Sequence, residues 1–143
     1  SNLAIRCRFL FCIVQGMATP FAIGKSYTRD QIADVVNGNT VWYLPISGGQ
    51  VVAVCLRPDH NPNAPTVVLC GSGPMVEKTG ELLAAETKSL PVFVKEATNA
   101  WTYCGRFKVV SSCTRGSNFK RAIAGHPSPG SITRVVFLER VRA

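Results

Sequence analysis

Acidic side chains are scarce. Eight Asp and Glu stand against sixteen Lys and Arg, which leaves +8 on 143 residues and a pI near 9.5. An excess of that size in a small domain speaks about partners, polyanions first, and says nothing about fold. Long apolar stretches are missing as well. The strictly apolar run from Phe9 to Val14 has six residues, far short of the roughly 20 that a membrane helix needs. Histidine is limited to His60 and His126, there is no C-x-x-C, and no cysteine spacing joins these histidines in a zinc pattern. Cys7, Cys12, Cys55, Cys70, Cys104 and Cys113 fall mostly inside apolar runs, where a thiol behaves as a small hydrophobe. That usage fits a reducing, intracellular compartment, cytoplasm or nucleus, better than a disulfide-framed secreted domain. No residue cluster asks for a metal or a cofactor.

What is present is a globular composition, 46% hydrophobic and 17% charged, of a length for one domain. The charge is uneven. Residues 1–29 carry Arg6, Arg8, Lys25 and Arg29 with no acid, the middle of the chain is mildly acidic, and residues 106–143 carry eight basic groups against Glu139 alone. Arg6 and Arg8 followed by an apolar stretch have the outline of a secretory signal, but the stretch is too short and reads better as a strand. Met17 offers a second start. Residues 1–16 are therefore an N-terminal strand or extension, and residues 17–143 a single globular domain.

Local patterns supply the elements. Thr28 with Gln31 has capping-box spacing, and Ile32, Val35 and Val36 give an apolar stripe that Gly38 would stop. Residues 41–44 (VWYL) read as a strand, Ser47-Gly48-Gly49 as a hairpin turn, and residues 50–56 (QVVAVCL) as the returning strand. Three prolines in residues 57–65 make a stiff loop. A strand over 66–70, a helix over 75–87, and strands over 91–95, 101–110 and 132–141 follow, with Gly105 as a bulge. Residues 111–130 read as a long basic loop with at most one helical turn near Phe119.

Candidate chemistry is sparse. Gly71-Ser72-Gly73 before a helix N-terminus offers a possible phosphate contact, although the pattern is neither G-x-G-x-x-G nor a Walker loop, and a tight structural turn explains it more simply. Catalysis finds little support. Cys113 and His126 are the one thiol–base pairing to name, and Glu77 and Glu81 form a solvated helix face with Lys78. The stronger pattern interleaves aromatic and basic side chains. Trp42, Tyr43, Trp101 and Tyr103 offer stacking faces, while Arg106, Lys108, Arg115, Lys120 and Arg121 offer phosphate contacts.

The run Gly24-Lys25-Ser26-Tyr27-Thr28-Arg29, the strands between Val51 and Cys70, and the series Pro91 to Lys95 with Trp101-x-Tyr103-x-Gly105-x-Phe107 resemble the PUA-like β-barrel superfamily. Its SRA/YDG-type modified-base DNA readers, often attached to restriction nucleases, are the nearest members. The resemblance spans about residues 21–110 in element order. It implies a small α+β fold, a curved and mostly antiparallel β-barrel with two short flanking helices. It also implies a pocket for one flipped or modified base drawing on Trp42, Tyr43, Trp101 and Tyr103, DNA rather than RNA as partner, and no catalysis. Two alternatives stand beside this reading. One is a scaffold domain whose N-terminal strand completes a sheet with a partner or a second copy. The other is a small cysteine-dependent enzyme.

Overall fold

The computed structural model describes residues 20–142. The expected N-terminal strand, with Cys7 and Cys12, lies outside them.

The first regular elements are β1 (Ser26–Tyr27) and α1 (Arg29–Val36). Thr28 caps the helix as its spacing predicts, accepting from the Gln31 backbone while the Gln31 side chain accepts from Thr28 N–H at 2.9 Å. The helix stops one residue earlier than Gly38 would place it, at Asn37, which takes the left-handed conformation at φ 61°. Gly38 serves close packing instead, because a Cβ there would lie 2.6 Å from Pro45 Cβ.

Residues 41–44 are not a strand. The Asn39 side chain accepts the N–H groups of Val41 (3.2 Å) and Trp42 (2.8 Å), so these amides are satisfied locally and need no neighbouring strand. The run over 50–56 also divides. Residues Gln50–Val51 (β3) pair with Ile46–Ser47 (β2) around Gly48 and Gly49, and Val54–Leu56 (β4) joins the main sheet. Both glycines have positive φ, 59° and 76°, as a type I′ hairpin turn demands.

The main sheet continues with β5 (Val67–Cys70), β6 (Leu90–Ala97), β7 (Ala100–Cys113) and β8 (Arg134–Arg140). Its order is β4-β6-β7-β8-β5, with β1 added against β7. Only β4 and β6 run parallel; the other pairings are antiparallel. Strand β7 organises the whole, pairing with β6, β1 and β8 along its length. Register shifts mark two bends in it. One falls where Val92 faces Gly105 and Phe93 faces Tyr103, leaving Cys104 as the extra residue; the other falls at Val110. Gly105 makes the first bend possible with φ +112°.

Alternation sends successive side chains to opposite faces. Val54 and Leu56 join Val68, Leu83, Val92, Phe107 and Val136 on one face, covered by α2 (Pro74–Ala84). Ala53, Cys55, Phe93, Trp101 and Tyr103 join Phe21 and Ile32 under α1 on the other. Leu69 and Val135 pack there with Ile132 beneath α3 (Ser117–Ile123). Burial on both sides explains why residues 51–56 read as one continuous apolar run. The fold is thus α+β, a curled and mostly antiparallel sheet. It has three helices where two were expected, because the basic segment after β7 folds α3 onto the sheet through Phe119, Ala122 and Ile123.

Candidate nucleic-acid interface

The aromatic residues singled out in the sequence do not meet in one open pocket. Trp101 and Tyr103, 6% and 2% exposed, are core residues under α1. Strand alternation points both inward, with Tyr103 packed at 5.3 Å from Phe93 and 5.4 Å from Phe21. Tyr43 packs half-buried on the opposite cluster. Burial, first, and the neighbouring Cys70 thiol push its phenol well above the ordinary tyrosine range. Trp42 alone is exposed, at 42%, beside Val41 at 81%. The two apolar side chains stand next to each other on the surface of one loop.

What holds that loop is a residue the sequence reading left aside. Arg29, in the first turn of α1, is only 7% exposed. Its Nη2 donates to the carbonyls of Trp42 (2.7 Å) and Asn39 (3.2 Å), and its guanidinium lies over the Trp101 ring at 5.2 Å. Its backbone N–H donates to Asn99 Oδ1 at 3.0 Å, tying α1 to the β6–β7 turn. Among the described residues no carboxylate forms an ion pair with it. Carbonyl dipoles and the indole face offset the cost of burying this charge. The only sequence signal was the Tyr27-Thr28-Arg29 run itself, which nothing local marks as a clamp.

The basic residues fall into two groups. Arg106 and Lys108 point outward from β7. Arg106 donates to Ser89 Oγ (2.8 Å) and to the Ser89 carbonyl (2.6 Å), beside a cleft of about 390 Å³, while Lys108 stands opposite Glu139 on β8. Arg115, Lys120 and Arg121 are exposed at and along α3, with Arg121 bonded to Asn118. None of the five takes part in an ion pair among the described residues.

Two donors of the Gly71-Ser72-Gly73 turn are engaged within the fold. Ser72 Oγ donates to the Ser131 carbonyl, and Gly73 N–H donates to Glu77 Oε2 at 2.9 Å. Glu77 thus meets this N–H at the helix terminus, where a phosphate at the turn would compete with its carboxylate. Cys113 packs half-buried against the Leu69, Ile132 and Val135 cluster, and His126 faces His60. Burial, above all, raises the Cys55 thiol to about 12 and the Cys70 thiol to about 11, which keeps both protonated and inert at neutral pH. The described residues contain no group of three or more His, Cys, Asp or Glu side chains able to hold a metal, and no helix among them is long and apolar enough to cross a membrane.

With this geometry in view, residues 26–118 match the model of a family described as "Domain of unknown function (DUF6697)". Comparison with curated proteins yields no match. Among solved structures, the chain is similar to the Type IV phosphorothioation-dependent restriction endonuclease ScoMcrA. The TM-score is 0.51 at 16% identity, over 85% of this chain and 28% of that one. This chain therefore spans under a third of that protein's length, and at such identity the likeness is one of fold.

Proposed function

We propose that this chain, which belongs to the DUF6697 family, is a nucleic-acid-binding domain, a DNA reader of the PUA-like kind without catalysis of its own. Its fold is shared with part of an enzyme whose recorded action depends on a DNA modification, and that kinship motivates the choice of DNA over RNA. The observation that carries the reading is the Val41–Trp42 loop. Its backbone groups are bonded internally by Asn39 and Arg29 while its two largest side chains face outward. An aromatic face presented on a fixed loop, in a chain whose described Arg and Lys side chains mostly lack an ion-pair partner, suits stacking on an unpaired, flipped or modified base. In this reading Arg106, Lys108, Arg115, Lys120 and Arg121 contact phosphates and give affinity without sequence information.

The test is fluorescence-polarisation binding of single-stranded and duplex DNA and RNA, plain and cytosine-modified, across a salt series. Binding that falls steeply with salt and prefers one DNA probe supports a reader. No binding at low salt overturns it.

A further inference from the structure

We infer that the protein holds a second, walled site for a planar nitrogen heterocycle of nucleobase size, in the cavity between the proline-rich loop and the segment that leads into β8. The inference depends on the nucleic-acid reading only for the form of the ligand carried on a strand.

The fold brings together the two histidines that the sequence keeps far apart. His60 from the proline-rich loop and His126 from the segment after α3 have ring centroids 5.8 Å apart with planes at 37°. They border a cavity of about 430 Å³, within the roughly 300–1,000 Å³ typical of small-ligand sites. Its floor is aliphatic, built from Leu69, Val76 and Ile132, and Tyr43 adds a third ring.

Both walls are fixed without a ligand. On one side Asn61, 5% exposed, accepts the Leu69 N–H at 2.9 Å, and the N–H groups of His60 and Asn61 donate to the Arg57 carbonyl. On the other, Ser131 Oγ donates to the Ser128 carbonyl at 2.7 Å, and Ser128 N–H donates to His126 Nδ1 at 2.9 Å. That last bond settles the chemistry of the ring. With Nδ1 acting as acceptor, the proton sits on Nε2, so His126 offers a donor on its other edge.

Charge decides between ligand classes. Arg57 at the mouth is bonded to Asp59 through Nε (3.2 Å) and Nη2 (2.9 Å), so its charge is balanced in place. A mouth without net charge is poorly matched to a bare phosphate. Rings for stacking, an aliphatic floor and a donor edge are well matched to a flat heterocycle with acceptor atoms. A free nucleoside and a base turned out from a strand share that chemistry.

The chain's only two histidines make direct reporters. Their imidazole C–H signals, assigned with His60→Gln and His126→Gln, are followed by NMR at neutral pH. The titrants are adenosine, cytidine and, separately, a single-stranded DNA octamer. Saturable shifts of both signals with a nucleoside, weakened at least tenfold by Val76→Phe with an unchanged unfolding temperature, establish the site. If Val76→Phe does not fold, His126→Ala replaces it, read through the His60 signal. Still histidines with every titrant overturn the site. An octamer that binds by polarisation while both histidines stay still removes the cavity and leaves the DNA reading intact. Nucleosides that shift both signals while no strand binds leave the cavity as a site for free heterocycles and remove the DNA reading.

Discussion

Arg29 Nη2 meets the backbone carbonyl of Trp42 at 2.7 Å, so a cation buried in the first turn of a helix sets the position of the most exposed tryptophan in the described chain. The side chain is nearly out of solvent, and its Nε has no hydrogen-bond partner among the described residues. Arg29→Ala removes two bonds from a charged donor, each worth about 1.5–3 kcal/mol, and uncovers the Trp101 ring. Removal of a buried, unbalanced charge offsets part of that loss. Chemical denaturation should show Arg29→Ala less stable by about 2–3 kcal/mol. In protein labelled with fluorotryptophan, the Trp42 19F signal should sharpen toward that of a mobile side chain. Wild-type stability with an unmoved Trp42 signal would remove the clamp.

Charge reversal on α3 separates affinity from fold. Lys120 and Arg121 are exposed and form no ion pair among the described residues, so Lys120→Glu with Arg121→Glu should leave the unfolding temperature within a few degrees of wild type. If both contact phosphates, the slope of log affinity against log salt should flatten by about 2, near 0.9 per contact. An unchanged slope would take α3 out of the interface.

Gly105 tests the bend in β7. Its φ of +112° is a conformation that L side chains rarely adopt, and an added Cβ would come within 3.4 Å of Arg140 Cδ and Ile23 Cδ1. Gly105→Ala should cost about 1–3 kcal/mol, measured by urea unfolding. An equally stable variant would mean that the curl does not depend on this residue.

How far the sequence could be read follows from how local each cause is. The Thr28–Gln31 capping box and the Gly105 bulge depend on near neighbours, and both stand where their spacing puts them. Residues 41–44 carry strand-forming side chains, yet Asn39 takes the Val41 and Trp42 amides in a local turn that outweighs their strand preference, and the Trp42 carbonyl goes to Arg29, a contact that no local pattern marks. The aromatic set mixes two populations that the sequence cannot separate, since Trp101 and Tyr103 alternate into the core while Trp42 faces solvent. His60 and His126 look unrelated until the sheet order places β5 beside β8 and draws their loops together.

Alkaline pH should weaken the fold through its buried thiols. Burial holds Cys55 at about 12 and Cys70 at about 11 in the folded chain, against 9.0 for an exposed thiol. Between these limits the unfolded chain has lost protons that the folded chain retains, so stability falls as pH rises from about 9. Each thiol contributes a slope of at most about 1.4 kcal/mol per pH unit, full once the unfolded thiol is ionised. The Tyr43 phenol, also raised by burial, adds to the loss above its own ordinary value of 10.0. Urea midpoints at pH 8, 9.5 and 10.5 should decline progressively, and Cys55→Ala should decline less steeply than wild type. A flat profile would mean that both thiols ionise within the fold.

Trp42 carries the sharpest test of the proposed interface because, if it stacks on a base, its loss should weaken binding while leaving packing nearly untouched. At 42% exposure, with its carbonyl and N–H engaged through the backbone, truncation to alanine preserves both hydrogen bonds. Trp42→Ala should therefore leave stability within about 0.5 kcal/mol of wild type, as for other surface changes. Stacking of one base on an aromatic ring is worth about 1–3 kcal/mol, so affinity for a single-stranded probe should fall by about 5- to 150-fold. Unlike the α3 reversal, this loss should persist at every salt concentration, because stacking releases no counterions. A loss that disappears at high salt would point to a repositioned charge instead of a lost stacking face, and undiminished binding would place the nucleic acid elsewhere on the protein.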